Sequence, residues 1–262
     1  MLNLAGLFKD YFCLHRKFLL WNLISRNLKL RYRRSFFGLF WTLMIPAGSA
    51  GIYFVIFNFV LKVKVAHYLL MILCGLIPWT FFAACITGLE VIAVNHQLLN
   101  KIPLPIQSLV EAEVITHYTN LILSIPILLF AFLFSGLGFS WTMIQYPLLF
   151  GFLFLNGYSI ALIFSLLFVF FRDLKYLSQL LLQFWFYLTP IMYEVKMIPP
   201  DFAFLIYLNP VGALFAGVHT AVVDQQWISA VDWTAIIGWS ALMTSLSMLL
   251  LYRVRQNIVE II

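Results

Sequence analysis

The sequence predicts an all-α membrane protein with six transmembrane helices, preceded by an interfacial amphipathic helix. Hydrophobic residues fill 63% of its 262 positions, charged residues fill only 10%, and the mean hydropathy is +0.98. A soluble domain is about half apolar and about a quarter charged, so both a soluble globule and a disordered chain are excluded. A membrane span needs about 20 apolar residues, and the chain has room for about six spans with short connections.

The N-terminal segment, residues 1–35, is the most charged part of the chain. Its apolar side chains recur at steps of three and four residues, as in a helix that lies in the plane of the membrane interface. These side chains are Leu4, Leu7, Phe8, Tyr11, Phe12, Phe18 and Leu19. Charges continue to Arg34, and no short apolar core with a cleavage site precedes them, so we do not expect a cleaved signal peptide.

Residues 36–252 are predicted to form the transmembrane domain. Its six apolar stretches lie at about 36–61, 68–94, 108–134, 145–171, 176–193 and 230–252. The connection at 194–229 contains a helical apolar stretch at about 211–223. Because this stretch is too short to cross a membrane alone, we predict short re-entrant or interfacial helices here. Residues 253–262 are predicted to be a tail.

The distribution of basic residues predicts the orientation. Thirteen of the 16 Lys and Arg residues fall in the two terminal segments, residues 95–107 and residues 172–175, and three fall in the alternate connections. Loops rich in Lys and Arg stay in the cytoplasm. We therefore expect both termini inside and the segment 194–229 outside. The net charge of +6 follows this topology and does not indicate nucleic-acid binding.

Motifs for enzymatic chemistry are missing from the sequence. It contains no G-x-x-x-x-G-K-[ST], no H-E-x-x-H and no G-x-S-x-G, and its five histidines lack ligand-like spacing. We therefore expect no catalytic residues, no metal and no cofactor in this chain. Cys74 and Cys85 are 11 residues apart, about 16 Å along one helix, so they are expected to be buried thiols and not a disulfide.

Charged side chains in or beside the spans are candidate functional groups, because their burial in a membrane is costly. Glu90 ends the second span, and Glu111 and Glu113 open the third. Glu113 and His117 share a helix face, and we favour a packed polar pair over a proton relay. The basic run before the first span either anchors the topology and contacts anionic lipid or recognises phosphate groups, and both roles are compatible.

Aromatic side chains are in excess, at 18% of the residues. On the first span they form four-residue pairs, Phe36/Phe40, Phe37/Trp41 and Tyr53/Phe57. On the fifth span, Gln179, Gln183 and Tyr187 form a polar line beside further aromatic residues. Sugar rings stack on aromatic faces and amides bind hydroxyls, so a glycan path is one interpretation. Packing against lipid is the other.

Six segments in a fixed order resemble the ABC transporter permeases that export polysaccharides. They are residues 31–41 with Pro46, 75–82, 95–105, 172–176, 183–191 and 208–210. Within that group the sequence is most similar to the O-antigen export permeases, and capsule and teichoic-acid permeases are also similar. The resemblance covers about residues 25–255.

The resemblance implies a transporter subunit that pairs as a homodimer with two copies of a separate ATPase, which binds ATP and Mg²⁺. The substrate would be a glycan on a polyprenyl-pyrophosphate lipid, moved from cytoplasm to periplasm. Its path would follow spans one and five, with Phe40, Trp41, Tyr53, Gln179, Gln183, Trp185 and Tyr187 as candidate lining residues. The pyrophosphate would meet Arg31, Arg33 and Arg34. The ATPase would dock on Asn95, His96, Gln97, Asn100, Lys101, Arg172 and Asp173.

Two alternatives remain open from the sequence. The first is an export permease for a drug or another small lipid-like molecule. The second is an intramembrane enzyme of lipid-linked sugar metabolism, which would act without an ATPase.

Overall fold

The computed structural model describes residues 14–32, 37–38, 40–60, 62, 66–101 and 104–261. In this part of the chain every regular element is helical. The helices are α1 Leu14–Tyr32, α2 Phe40–Val55, α3 Tyr68–Thr87, α4 Val91–Val94, α5 His96–Lys101, α6 Ile106–Ser135, α7 Gln145–Phe170, α8 Leu174–Leu188, α9 Phe204–Leu208, α10 Gly212–Val222 and α11 Ala230–Ile261. A π-helical turn, Ile56–Val60, extends α2, and a 3-10 turn, Trp141–Ile144, precedes α7.

Among the described residues, five continuous helical segments are long and apolar enough to cross a membrane. They are Phe40–Val60, Tyr68–Thr87, Ile106–Ser135, Trp141–Phe170 and Ala230–Val254. They match predicted spans one, two, three, four and six, so the predicted class of all-α membrane protein is confirmed. The second span is shorter than expected. Its helix ends at Thr87 and not near Val94, because the chain turns at Gly88, whose N–H bonds to the carbonyl of Ala84.

The fifth predicted span contains a 15-residue helix, α8. At 1.5 Å per residue this helix is about 22 Å long, which is less than the hydrocarbon thickness of about 30 Å. The contacts that the fifth predicted span makes with α3 nevertheless extend from one end of α3 to the other. Lys175 pairs with Glu90, just beyond the end of α3, and the carbonyl of Met192 accepts a bond from Tyr68, where α3 begins. Residues 174–192 therefore cross the bundle antiparallel to α3.

Non-helical backbone at residues 189–192 completes this crossing. This stretch bends, and the N–H of Ile191 bonds to the carbonyl of Thr189 at 2.8 Å. Such backbone is tolerated at membrane depth only where protein encloses it, and here Thr189, Pro190 and Ile191 are buried. Gly75 in α3 makes room for it, because a Cβ at that position would lie 2.6 Å from the carbonyl oxygen of Ile191.

The next segment enters the bundle and returns to the same end. Lys196 near its start pairs with Asp224 near its end, with Nζ and Oδ1 3.2 Å apart. The helical stretches before and after Asn209 meet at 109°. Asn209 itself reaches the depth of Trp185, which donates a hydrogen bond to it. These contacts favour the re-entrant interpretation of the segment over the interfacial one.

The two ends of the bundle differ in their side chains. We call the end that carries Arg26, Arg31 and Lys175 the basic end, and the end that carries Tyr68 and Asp224 the opposite end. The connections that the charge count assigned to one side do lie together, because Arg26 bonds to Asn95 and Lys175 pairs with Glu90. Which end faces the cytoplasm stays a prediction.

Helix α1 packs along α6 at the basic end. Leu23 of this helix is buried and lies against Leu109 and Ala112. Of the residues predicted to form its apolar face, Leu19 packs beside this cluster and Phe18 is 72% exposed. The predicted positions Leu4, Leu7, Phe8, Tyr11 and Phe12 lie outside the described residues. At the other terminus, α11 continues without a break to Ile261, so the predicted tail at 253–262 is not separated from the last span by a change in secondary structure.

Helix α3 is the centre of the packing, and most of its side chains are buried. Cys74 and Cys85 are among them as free buried thiols, as predicted. Helices α7 and α11 are joined by hydroxyl and amide contacts, which stabilise helix pairs where lipid supplies no hydrophobic drive. Asn156 donates to Ser240 at 2.7 Å, and Ser159 and Thr244 share a bond at 3.1 Å.

Candidate functional site

A groove of about 740 Å³ lies between α2, α3 and α8. Helix α8 supplies most of its wall, because positions 176, 179, 183 and 187 recur at steps of three and four residues and so share a face. The lining residues are Tyr53, Trp79, Tyr176, Gln179, Leu180, Leu182, Gln183, Phe186 and Tyr187. The structure therefore brings together four of the seven predicted path residues, Tyr53, Gln179, Gln183 and Tyr187.

Gln179 and Gln183 are the unusual members of this wall. Both side chains are exposed, and neither makes a hydrogen bond within the part of the chain that the structure describes. An amide without partners is expensive in hydrocarbon. On a helix that crosses the bundle, these two amides therefore require water, a ligand or another protein surface in front of them.

Trp185 does not line the groove, although it was predicted on the path. Its ring packs edge-on against Phe82, with centroids 5.2 Å apart, and its Nε1 donates to Oδ1 of Asn209 at 2.7 Å. Helical geometry explains the difference, because position 185 is rotated by about 200° from position 183. Trp185 therefore attaches the groove helix to the re-entrant segment.

Phe40 and Trp41 also lie away from the groove, at the beginning of α2. Both rings contact Phe37, with centroids 6.2 and 5.7 Å apart. Trp41 lines a separate cavity of about 440 Å³ between α2, α3 and α6, and Arg31 stands at its edge. Position 41 is 12 residues before Tyr53, which rotates it by about 120° around the axis of α2, so the two rings leave the helix on different faces.

Arg31 is engaged with two residues of α6. Its Nη1 donates to Nδ1 of His117 at 3.1 Å, and its Nη2 lies 3.4 Å from Oε1 of Glu113. Since arginine is always a donor, Nδ1 of His117 is the acceptor. Nε2 of His117 lies 3.3 Å from Oε1 of Glu113, in ion-pair contact but without hydrogen-bond geometry. Asn27 donates to the other carboxylate oxygen at 2.9 Å. The favoured packed pair of Glu113 and His117 is present, as part of a larger cluster that holds α1.

The other predicted headgroup residues, Arg33 and Arg34, lie outside the described residues. Arg31 thus has an intramolecular role that neither sequence interpretation of the basic run included. Its partner Glu113 is a carboxylate, which would compete with a phosphate group for the same donors.

The predicted ATPase-docking residues lie at the basic end, in two neighbouring connections. Asn95 follows α4 and donates to the carbonyl of Val91 at 2.8 Å, and it accepts from Nη2 of Arg26 at 3.0 Å. His96 and Gln97 begin α5, and Gln97 is exposed. Asn100 and Lys101 are also in α5, but their side chains are not among those that the structure describes. The other connection carries Arg172 and Asp173, both exposed, in the turn before α8.

Sequence reasoning missed Trp79, Tyr176 and Phe186 as groove residues. Tyr176 precedes Gln179 by three positions and Gln183 by seven, so extending the polar line by one turn would have found it. Trp79 comes from α3, and its ring lies 5.5 Å from that of Phe186. No periodicity within one helix signals a contact of this kind. Among the described residues, no group of His, Cys, Asp and Glu is arranged to hold a metal ion.

Comparison with known proteins gives a consistent result. The sequence profile of the family described as ABC-2 type transporter matches residues 19–223, which is the greater part of the chain. The chain is 31% identical over 223 residues to an O-antigen export system permease protein RfbA of Klebsiella pneumoniae, covering 81% of this chain and 85% of that one.

Two further relatives have the same name. One, from Myxococcus xanthus, is 28% identical over 211 residues, covering 79% of this chain and 81% of that one. The other, also from Klebsiella pneumoniae, is 29% identical over 222 residues, with coverage of 81% and 85%. With its membrane-spanning helices, the chain is therefore a multi-pass membrane protein of the ABC-2 type transporter family, a component of a transporter and not a catalytic enzyme.

Proposed function

We propose that this chain is the membrane-spanning permease subunit of an ATP-driven exporter in the bacterial inner membrane. Its substrate is a polysaccharide of the O-antigen type, linked to a polyprenyl-pyrophosphate lipid. The relatives named O-antigen export system permease support this choice among the polysaccharide exporters, since they match about four fifths of the chain.

The observation that carries the proposal is the pair of unpartnered amides in the groove. Gln179 and Gln183 stand in a row with Tyr176 and Tyr187, and Tyr53 faces them from α2. Amides bind hydroxyl groups, and aromatic faces stack on sugar rings, so a moving glycan meets a suitable surface along the whole helix. A groove for an apolar molecule needs no amides there.

A second copy of the chain completes this path. The groove is open on one side, and the face of α8 beside it is apolar and exposed, as Leu180 and Phe184 illustrate. In a homodimer, the two open sides face each other and enclose a channel wide enough for a polymer. The amides then face this channel and not lipid.

The energy comes from a separate ATPase subunit, as membership of the family implies. ATP and Mg²⁺ bind to that subunit. It docks on the basic end, on α4 and α5 with Asn95, His96 and Gln97, and on the turn with Arg172 and Asp173. This orientation puts the basic end in the cytoplasm, in agreement with the excess of Lys and Arg there.

Arg31, Arg33 and Arg34 are proposed to meet the pyrophosphate of the lipid carrier. Planar guanidinium groups bind phosphate oxygens in pairs, and the run lies at the end where the substrate enters. For Arg31 this role is secondary to its contacts with Glu113 and His117, which hold α1 against α6. A comparison of variants at Arg31 and Glu113 separates the two roles.

The test is export in a strain that lacks the chain but retains its ATPase and glycan synthesis. Lipid-linked polymer should accumulate inside, and the wild-type chain should restore polymer at the cell surface. A chain with both Gln179 and Gln183 replaced by Leu should insert normally and export poorly. As the matched control, Leu177→Gln changes the polarity of an exposed residue on the same helix that does not line the groove, and it should export normally.

Surface polymer in the strain without the chain would contradict the proposed function. Normal export by the double Leu variant would contradict the assignment of the groove as the path.

A further inference from the structure

The turn at residues 88–90 connects α3 to the short helices α4 and α5, and its last residue, Glu90, contacts a different part of the chain. Nζ of Lys175 lies 2.8 Å from Oε1 of Glu90, a charge-assisted hydrogen bond between residues 85 positions apart. Lys175 is in the first turn of α8, directly before Tyr176, the first residue of the groove. One ion pair therefore joins the turn that precedes the predicted docking residues, which begin at Asn95, to the helix that forms the wall of the groove.

The position of Lys175 calls for an explanation beyond helix stability. The N-terminal turn of a helix has a partial positive charge, and a cation is unfavourable there. The first turn of α8 has no acidic residue, and Asp173 at its N-cap makes no side-chain capping bond. Glu90 supplies the opposite charge from another element, so α8 begins with a lysine whose favourable interaction is with the turn before α4.

The same turn is held firmly on its other side. A Cβ on Gly88 would lie 3.5 Å from Cγ of Glu113 and 3.6 Å from Nε2 of His117, so the turn lies within ordinary van der Waals distance of α6. Five residues after Glu90, Asn95 accepts a bond from Arg26 of α1. If α4 and α5 move, the turn at residues 88–90 moves with them. Glu90 then passes this movement to α8.

We propose that the Glu90–Lys175 pair transmits movement of the ATPase-docking segment to the groove helix. The proposal rests on the function proposed above and assigns to the pair a role in coupling and not in substrate contact. An ATPase can shift the groove only through contacts that differ between two states. This pair lies between the docking helices and the first turn of α8, so its loss should leave nucleotide hydrolysis intact and disconnect it from export.

The weak contribution of exposed ion pairs to stability makes the test practical. Both side chains are partly exposed, at 48% and 38%, and such pairs stabilise a fold only slightly. Glu90→Gln and Lys175→Gln should therefore insert and fold normally. Lys29→Gln is the matched control, because it removes an exposed lysine at the same end that has no role in the proposal.

The experiment uses the complete complex of chain and ATPase in membranes, and it measures ATP hydrolysed and polymer exported. We expect each single variant to lower export per ATP by about fivefold or more, the smallest effect typical of coupled sites. The swapped variant, Glu90→Lys with Lys175→Glu, restores the opposite charges and should return most of the export. Lys29→Gln should behave as wild type.

Three results would overturn the proposal. Wild-type export per ATP in both single variants would remove the coupling role. A swapped variant as defective as the single ones would show that the pairing of charges is not the reason. Loss of complex assembly in the single variants would show that Glu90 and Lys175 contact the ATPase directly. If the wild-type complex itself moved no polymer, the proposed function would fail, independently of this pair.

Discussion

Nε1 of Trp185 donates to Oδ1 of Asn209 at 2.7 Å, and this bond joins the groove helix to the deepest point of the re-entrant segment. Asn209 uses its full capacity. Oδ1 also accepts from the N–H of Val211 at 3.1 Å, and Nδ2 donates to Oγ1 of Thr189 at 2.9 Å and to the carbonyl of Leu188 at 3.3 Å. If the amide were removed, Trp185, Val211 and Leu188 would each lose a partner, whereas Oγ1 of Thr189 would keep its bond to the carbonyl of Trp185 at 2.8 Å.

Asn209→Ala should therefore destabilise the protein strongly. Each buried group left unpaired costs about 1–3 kcal/mol, and the substitution leaves several. Trp185→Phe keeps most of the ring packing and removes one donor, so it should cost less, about 1 kcal/mol from the lost bond. Thermal unfolding of the purified protein in detergent measures both. Equal midpoint temperatures of unfolding for Asn209→Ala and Trp185→Phe would mean that the Asn209 amide does not hold α8 to the re-entrant segment.

The orientation leads to a labelling prediction. Asp201 lies in the re-entrant segment near the opposite end, and Gln97 lies in α5 at the basic end, and both side chains are exposed. In a background without the native cysteines, an impermeant thiol reagent applied to intact cells should label Asp201→Cys and not Gln97→Cys. After the cells are permeabilised, both should react. Labelling of Gln97→Cys from outside would reverse the assignment of the basic end to the cytoplasm.

The groove predicts which aromatic residues act together. Tyr53 and Tyr187 line it from different helices, whereas Trp41 lines the other cavity. Base–aromatic stacking contributes about 1–3 kcal/mol per contact, and sugar stacking should lie at the low end. Tyr187→Leu should therefore slow export several-fold at matched expression, and adding Tyr53→Leu should reduce it further.

Adding Trp41→Leu to Tyr187→Leu is the comparison, and it should have a smaller effect than Tyr53→Leu. Wild-type export by the Tyr53/Tyr187 double Leu variant would indicate that these rings only pack against lipid or a neighbouring helix.

The two roles considered for Arg31 predict opposite effects on export when Glu113 is replaced. If Arg31 mainly holds α1 against α6, Glu113→Gln should impair export about as much as Arg31→Ala, because both remove the ion pair. If Arg31 mainly grips a pyrophosphate, Glu113→Gln should leave export intact, since it frees donors for the phosphate. Arg31→Lys should impair both roles, because an ammonium group cannot bind two partners with a planar fork.

The measurement is polymer export at matched membrane levels of each variant. We expect the first result, because the structure has both Arg31 contacts satisfied within the protein. Normal export by Glu113→Gln would contradict the structural role of the cluster.

The sequence predicts features that depend on residues close together in the chain, and it does not predict contacts between distant segments. The spans follow from apolar stretches, and the row of Gln179, Gln183 and Tyr187 follows from helical spacing, so both were found. Trp185 was assigned to the same path because it is close to Gln183 in the sequence. Side chains two positions apart on a helix, however, point to different sides. Its true partner, Asn209, comes from a segment whose depth in the bundle has no signature in composition.

Charged residues show the same division. The sequence identified Glu113 and His117 as a pair because they are four residues apart. It could not identify Arg31 as their third partner or Lys175 as the partner of Glu90, because these contacts depend on how separate helices pack. Such contacts are also the ones on which the proposed coupling depends.

The non-helical backbone at residues 189–192 has a consequence for the order in which the chain is assembled. A helix satisfies its own backbone and can enter the bilayer alone, but this stretch depends on enclosure by neighbouring elements. One of them, α3, is synthesised earlier, whereas Asn209, which bonds to Leu188 and Thr189, is synthesised later. The fifth crossing therefore cannot mature when it leaves the ribosome. It must wait at the insertion machinery until the re-entrant segment arrives, and a nascent chain arrested before Asn209 should expose residues 189–192 to degradation.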